Sequence, residues 1–247
     1  MRLSRRWVRT IFCVLARRHS PTLGDDVGLV DTLLERVLFL IPLWISLAVH
    51  EWAHARAAFA LGDDTAEKLG RMTLDPLAHL DPIGTVVLPL LGIPFGWAKP
   101  VPVQPTRFRN SASMSGGMIL VAAAGPLSNA LLASLLFLLD LGIAARVPDL
   151  ATSRPLLSRV FDFALTANVA MAVFNLLPFP PLDGSRIVDG LVPFERRALW
   201  DRAAQPVGLV CLALFLLFGG SLLNQAVSVA RASLREIAGL GPLPLPR

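Results

Sequence analysis

The sequence predicts an all-α membrane protein, a polytopic bundle of about four transmembrane helices with a re-entrant hairpin or short strands after the first span. Three observations carry that expectation. Of 247 residues, 54% are hydrophobic and only 17% are charged, whereas a typical soluble domain has about a quarter charged. Too few charges remain to clothe a water-facing surface, and mean hydropathy is +0.59. The apolar residues also fall in blocks separated by Pro-, Gly- and Arg-rich stretches, the pattern of membrane spans and their connections.

Residues 1–30 read as a basic interfacial segment. Arg2, Arg5, Arg6, Arg9, Arg17 and Arg18 surround a short apolar run. Arg9 breaks that run, and Arg17, Arg18 and His19 stand where a signal peptide would have small cleavage-site residues. The membrane-embedded domain is expected over residues 31–232 and a C-terminal tail over 233–247. Residues 37–59 are long enough to span, yet their second half holds His50, Glu51, His54 and Arg56. Residues 61–80 form a polar connection. Residues 83–97 carry no charge but include Gly84, Pro89, Gly92, Pro94 and Gly96, too short and broken for a straight span. Residues 118–143 form the next span, with Asp140 near its end. Residues 163–177 follow and stop at Pro178, and 207–229 is the cleanest span because it carries no charge at all.

A formal net charge of +5 raises the question of nucleic acid. The basic residues lie mostly at the N-terminus and between apolar blocks, flanking membrane spans rather than forming a phosphate-binding face. No nucleic-acid partner is expected. Cys13 and Cys211 lie far apart in apolar stretches, which suits buried thiols and neither a disulfide framework nor a zinc ribbon.

The chemistry-bearing feature is His50-Glu51-Trp52-Ala53-His54. On a helix, residues four apart stand one turn above each other, so both imidazoles project from one face and can hold one metal ion. Glu51, offset around the helix, is placed to act as a general base on water. The bland alternative is a solvated polar helix face. Against it, one charged side chain in the middle of a spanning helix costs about 2.5–3.5 kcal/mol, whereas binding a structural zinc ion is worth on the order of 10 kcal/mol or more. A metal therefore accounts for several ionisable residues in one apolar helix, and one zinc ion per chain is expected.

Two histidines need a third protein ligand. The position where a soluble zincin has its third His is Ala60, and no Glu occurs between Lys68 and Phe194. Glu67, Asp75 and His79 lie near in sequence. Asp183 is the better candidate, because the Pro-rich run before it ends an apolar span and would present a carboxylate on irregular backbone at membrane depth, which only a protein-lined cavity tolerates. A plain Pro-Leu-Asp-Gly turn is its other reading.

Taken together, the His50-Glu51-x-x-His54 run inside an apolar span and the distant Asn175-Leu176-Leu177-Pro178-Phe179-Pro180-Pro181-Leu182-Asp183-Gly184 resemble the site-2 protease family of intramembrane zinc metalloproteases. Stretches 70–82, 96–103 and Gly125-Pro126-Leu127-Ser128-Asn129 are similar to its compact prokaryotic branch without a PDZ domain. The resemblance covers about residues 39–187. It implies that His50, His54 and Asp183 bind zinc, that Glu51 activates water, and that the substrates are transmembrane proteins cleaved in the cell membrane by a multi-pass protease (regulated intramembrane proteolysis). It also implies that Asn129 and Asn175 bind substrate backbone or orient the site, interhelical hydrogen bonding being their other role. His79 is expected to be structural or to support the ligands. Asp75 stands where this branch more often has Asn, which leaves the ligand set intact. The competing class is a non-catalytic metal-binding membrane protein or metal carrier with the same fold, against which the presence of Glu51 argues.

Overall fold

The computed structural model describes residues 29–91, 97–110, 113–146 and 153–239. Most of the basic N-terminal segment and the last residues of the tail lie outside these. Six helices make up most of the described chain: α1 (Leu29–Ala60), α2 (Met114–Arg146), α3 (Pro155–Asn175), α4 (Asp183–Leu191), α5 (Phe194–Phe218) and α6 (Gly220–Ile237). Short helical turns lie between α1 and α2, and no strand occurs among the described residues.

Among the described residues, three helices are long and apolar enough to cross a membrane: Arg36–Ala60, Met114–Ile143 and Pro155–Asn175. Helix α2 is the central element, packing against α1, α3 and α4, while α1 also meets α3, and α6 packs on α3. The interfaces are built from small side chains. Ala48, Ala55 and Ala58 on α1, Ala122 and Ala133 on α2, and Ala164 and Ala167 on α3 are buried, which lets helix backbones approach closely where no hydrophobic drive separates lipid from protein. Large aliphatics face outward instead, such as Ile41 and Ile45 on α1 and Leu127, Leu131 and Leu135 on α2. A second contact region joins Ala133 and Phe137 of α2, Leu165 and Val169 of α3, and Val227 of α6.

The cleanest expected span is not one straight helix. Residues 207–229 divide between α5 and α6, and the segments Arg202–Phe215 and Gly220–Leu234 meet at 72°, a bent pair that raises the number of crossings to four if counted as one. The break falls at Gly219-Gly220. A Cβ on Gly219 would lie 2.5 Å from the Phe215 ring, so the close approach at the corner needs glycine.

The segment after α1 packs back on it as two legs of a hairpin, and the inward leg, Pro82–Leu90, is helical rather than a strand. Asp81 caps it, accepting from Ile83 N at 3.0 Å and Gly84 N at 2.8 Å, and Pro82 at the first position needs no amide partner. A π-helical turn, Pro82–Val87, then runs into Leu88–Leu90. The leg descends along α1: Trp44 Nε1 donates to Thr85 O at 2.9 Å and Arg36 donates to Leu90 O at 2.6 Å. The chain returns through Trp97, packed so closely on Gly84 that a Cβ there would meet it at 2.5 Å. Lys99 N donates to His79 O at 2.9 Å as the return leg climbs back.

Beyond the end of α1, Asp63 ties the return leg down. It is 1% exposed and accepts from Thr65 N at 3.0 Å, Thr65 Oγ1 at 2.5 Å and Gln104 N at 2.6 Å. Asp64, outside the spans, is held below its ordinary carboxylate range by a hydrogen bond from Lys68. Replacing Asp63 with Ala removes the acceptor of three part-buried hydrogen bonds, each worth about 0.5–1.5 kcal/mol. Asp63→Ala is expected to lower the thermal midpoint in detergent and to open residues 97–110 to added protease; wild-type resistance there would contradict this role.

Candidate metal centre

Helix α1 brings His50, Glu51 and His54 to the inside of the bundle, where all three are buried. The two imidazoles meet edge to face at 87° with centroids 4.6 Å apart, the outcome of four-residue spacing on one helix. His50 Nδ1 lies 2.6 Å from Asn129 Oδ1 of α2, and His54 Nδ1 lies 2.7 Å from the Val121 carbonyl. Both rings thus turn their Nε2 atoms toward each other, 3.1 Å apart.

Asp183 reaches this point from a distant part of the chain. After α3 ends, residues 176–182 fold back, with Leu182 N donating to Phe179 O at 2.8 Å. Leu182 is extended at φ −71 and ψ 158, and Asp183 opens α4, where the helix N-terminus favours a carboxylate. Gly184 follows under constraint, because a Cβ there would lie 2.3 Å from Leu176 O. Asp183 Oδ2 consequently stands 3.2 Å from His50 Nε2 and 3.2 Å from His54 Nε2.

These donor atoms fit one metal ion. Ligands about 2.0–2.1 Å from a tetrahedral zinc lie roughly 3.3 Å from one another, and the observed separations are 3.1, 3.2 and 3.2 Å. Two imidazole nitrogens and one carboxylate oxygen are a donor set suited to zinc, and among the described residues these three form the one group of metal-binding side chains.

Glu51 points elsewhere on α1. Its Oε2 accepts from Val101 N at 2.9 Å, so the hairpin's return leg fixes the carboxylate beside the donor cluster.

The other sequence candidates separate. Asn129 is fully buried against His50. Asn175 donates to Met171 O of its own helix at 3.0 Å. His79 is buried in the connection with Nε2 2.9 Å from Thr73 O, outside the donor cluster. Asp75 caps the turn Pro76–Ala78, accepting from Leu77 N at 3.0 Å, and Glu67 lies exposed on the one-turn helix Thr65–Lys68. Sequence reasoning quoted Gly125 and the stretch around Val101 as motifs without giving either residue a role, and passed over Asn168. A Gly-Pro pair inside an apolar span was a signal for Gly125, and an Asn in the middle of one for Asn168.

Residues 141–219, which include Asp183, match the model of peptidase family M50. Along 200 residues, 80% of this chain and 89% of the relative, the sequence is 41% identical to "Putative zinc metalloprotease YwhC" of Bacillus subtilis. The chain belongs to peptidase family M50, the site-2 proteases. Within the family it is also 32% identical to "Putative zinc metalloprotease Rip2" of Mycolicibacterium smegmatis over 164 residues, 66% of this chain and 61% of that relative. A Rip2 of Mycobacterium tuberculosis is 32% identical over 189 residues, 72% of this chain and 67% of the relative. No solved structure matches.

One glycine is decisive for an M50 site of this shape. A Cβ on Gly125 would stand 2.3 Å from His54 Nε2 and 2.6 Å from His50 Cε1. Pro126, buried beside it, removes an amide from α2 and weakens the helix locally. Gly125→Val is expected to abolish zinc retention while helix content by circular dichroism stays at the wild-type level; full zinc occupancy in that variant would contradict the packing.

Proposed function

We propose that this protein is an intramembrane zinc metalloprotease that hydrolyses peptide bonds of membrane-spanning proteins, acting as a multi-pass protein of the cell membrane in regulated intramembrane proteolysis. The observation that carries the reading is the meeting of His50 Nε2, His54 Nε2 and Asp183 Oδ2 at zinc-ligand separations, with Glu51 one residue along the same helix. These three side chains would hold one zinc ion. When bound, zinc supplies Lewis acidity toward water and toward the scissile carbonyl.

The chain's own residues do the rest. Glu51 accepts the proton of the attacking water and delivers it to the leaving amine. The Val101 N–H engages Oε2, which fixes the carboxylate's rotation and leaves its second oxygen for that proton. Burial of the site within the bundle keeps lipid and bulk water away while the polar groups hold their geometry.

A helical substrate hides its scissile bond in its own hydrogen bonding and must unwind first. The return leg of the hairpin suits an unwound segment. Lys99 and Val101 each precede a proline, which biases both toward extended backbone, so substrate can lie alongside in the manner of an added strand.

Glu51→Gln is expected to retain zinc and lose cleavage of a transmembrane model substrate by about 10²-fold or more. Asp183→Ala is expected to lose zinc itself. Wild-type cleavage by Glu51→Gln, or unchanged zinc in Asp183→Ala, would overturn the assignment.

A further inference from the structure

A chain of buried amides runs behind His50, and every link in it has a fixed direction. Asn168 on α3, completely buried, donates from Nδ2 to the Ala164 carbonyl at 2.8 Å and to Ser46 Oγ at 2.8 Å. Ser46 in turn donates to the Pro42 carbonyl at 2.7 Å. Main-chain carbonyls only accept, so Ser46 has its lone pairs left for Asn168, and Asn168 cannot flip without setting its own oxygen against Ala164 O. Asn168 Oδ1 must therefore face α2, where it accepts from Asn129 Nδ2 at 2.8 Å. The same Asn129 nitrogen lies 3.3 Å from the Ser46 carbonyl, a second obligate acceptor. Asn129 has no freedom left: both amide hydrogens are engaged, and its Oδ1 is aimed at His50 Nδ1, 2.6 Å away.

We infer that Asn168 and Ser46 are positioning residues that act through Asn129 to hold His50 in the tautomer with hydrogen on Nδ1 and a bare lone pair on Nε2. The inference rests on the reading of His50 as a metal ligand. It gives Asn129 an orienting role and takes away the hydrogens it would need to bind a substrate carbonyl. Without Asn168 Oδ1, only the longer contact to the Ser46 carbonyl at 3.3 Å opposes a turn of the Asn129 amide, which would present Nδ2 to His50, move the imidazole hydrogen to Nε2 and block that ligand. His54 needs no such relay, because its Nδ1 faces a carbonyl of Val121 directly, and only one tautomer satisfies that contact.

The test uses the full chain in detergent, with zinc affinity measured by competition against a chelator and the ligand field read from the visible spectrum of the cobalt(II)-substituted protein. Outer partners of metal-bound histidines contribute about 10–100-fold in affinity. Asn168→Leu is expected to weaken zinc binding about tenfold or more and to alter the cobalt spectrum, and Ser46→Ala to weaken it by a smaller factor. Neither is expected to add any loss in an Asn129→Ala background, which distinguishes action through Asn129 from a general packing defect. Nitrogen-15 NMR of histidine-labelled, zinc-loaded protein should show His50 protonated on Nδ1 in wild type and a mixture in Asn168→Leu. If Asn168→Leu does not fold, Ser46→Ala alone decides through the same comparison. Equal losses in both backgrounds, wild-type affinity in the variants, or His50 protonated on Nε2 in wild type would overturn the relay. Failure of the wild type to bind zinc would sink the metal-centre reading and the relay with it, whereas zinc binding with the NMR result reversed would sink the relay alone.

Discussion

Polar atoms inside an apolar bundle have no water to turn to, and the architecture of this protein follows from satisfying them. Ser46, His50, Glu51, His54, Asn129, Asn168 and Asp183 are all buried and each has a hydrogen-bond or ion-pair partner. An unpaired group at that depth costs several kcal/mol, so α1, α2, α3 and the loop before α4 are bound to one arrangement. Gly125 allows α2 to approach the imidazoles, and the Pro-rich return after α3 delivers the carboxylate. The His50, His54 and Asp183 donor cluster is thus anchored by the same contacts that fix the helix packing.

The hairpin obeys the same constraint at its own scale. Its inward leg would strand backbone donors and carbonyls beside α1, and Asp81, Trp44 and Arg36 each take up some of them. Asp63 and the His79 carbonyl hold the return leg on the other side. Between those ties lies Pro100-Val101-Pro102. Neither proline has an N–H, so Val101 offers the one amide in this tripeptide and gives it to Glu51. Rigid backbone next to the base links the hairpin's fold to the chemistry proposed for it.

Sequence patterns were informative wherever a local rule decides. The apolar blocks located three spanning helices to within a few residues except at the start of α3, which begins at Pro155 rather than near residue 163. Asp81 and Pro82 open the helical inward leg, which the glycines and prolines that follow masked in the sequence pattern. Residues 207–229 misled for a physical reason: hydropathy reports the solvent a segment prefers and is blind to backbone direction, so a glycine pair that turns the chain by 72° leaves no trace in it. His79, expected to be structural or to support the ligands, is buried in the connection with Nε2 against the Thr73 carbonyl.

The sequence by itself determined that the chain lives in a membrane, that His50 and His54 share a helix face, and that Glu51 sits beside them, because helical periodicity and burial energetics act over a few residues. It also singled out Asp183, since a carboxylate after a run of prolines at membrane depth needs a reason to be there. Only the tertiary structure decided which distant groups complete the site: Asp183 over Glu67, Asp75 and His79, the Val101 amide on Glu51, Gly125 under the imidazoles, and Asn168 behind Asn129. Those choices depend on how α2 and α3 are rotated against α1, and helix rotation in a bundle is set by side-chain packing between elements that no single segment contains.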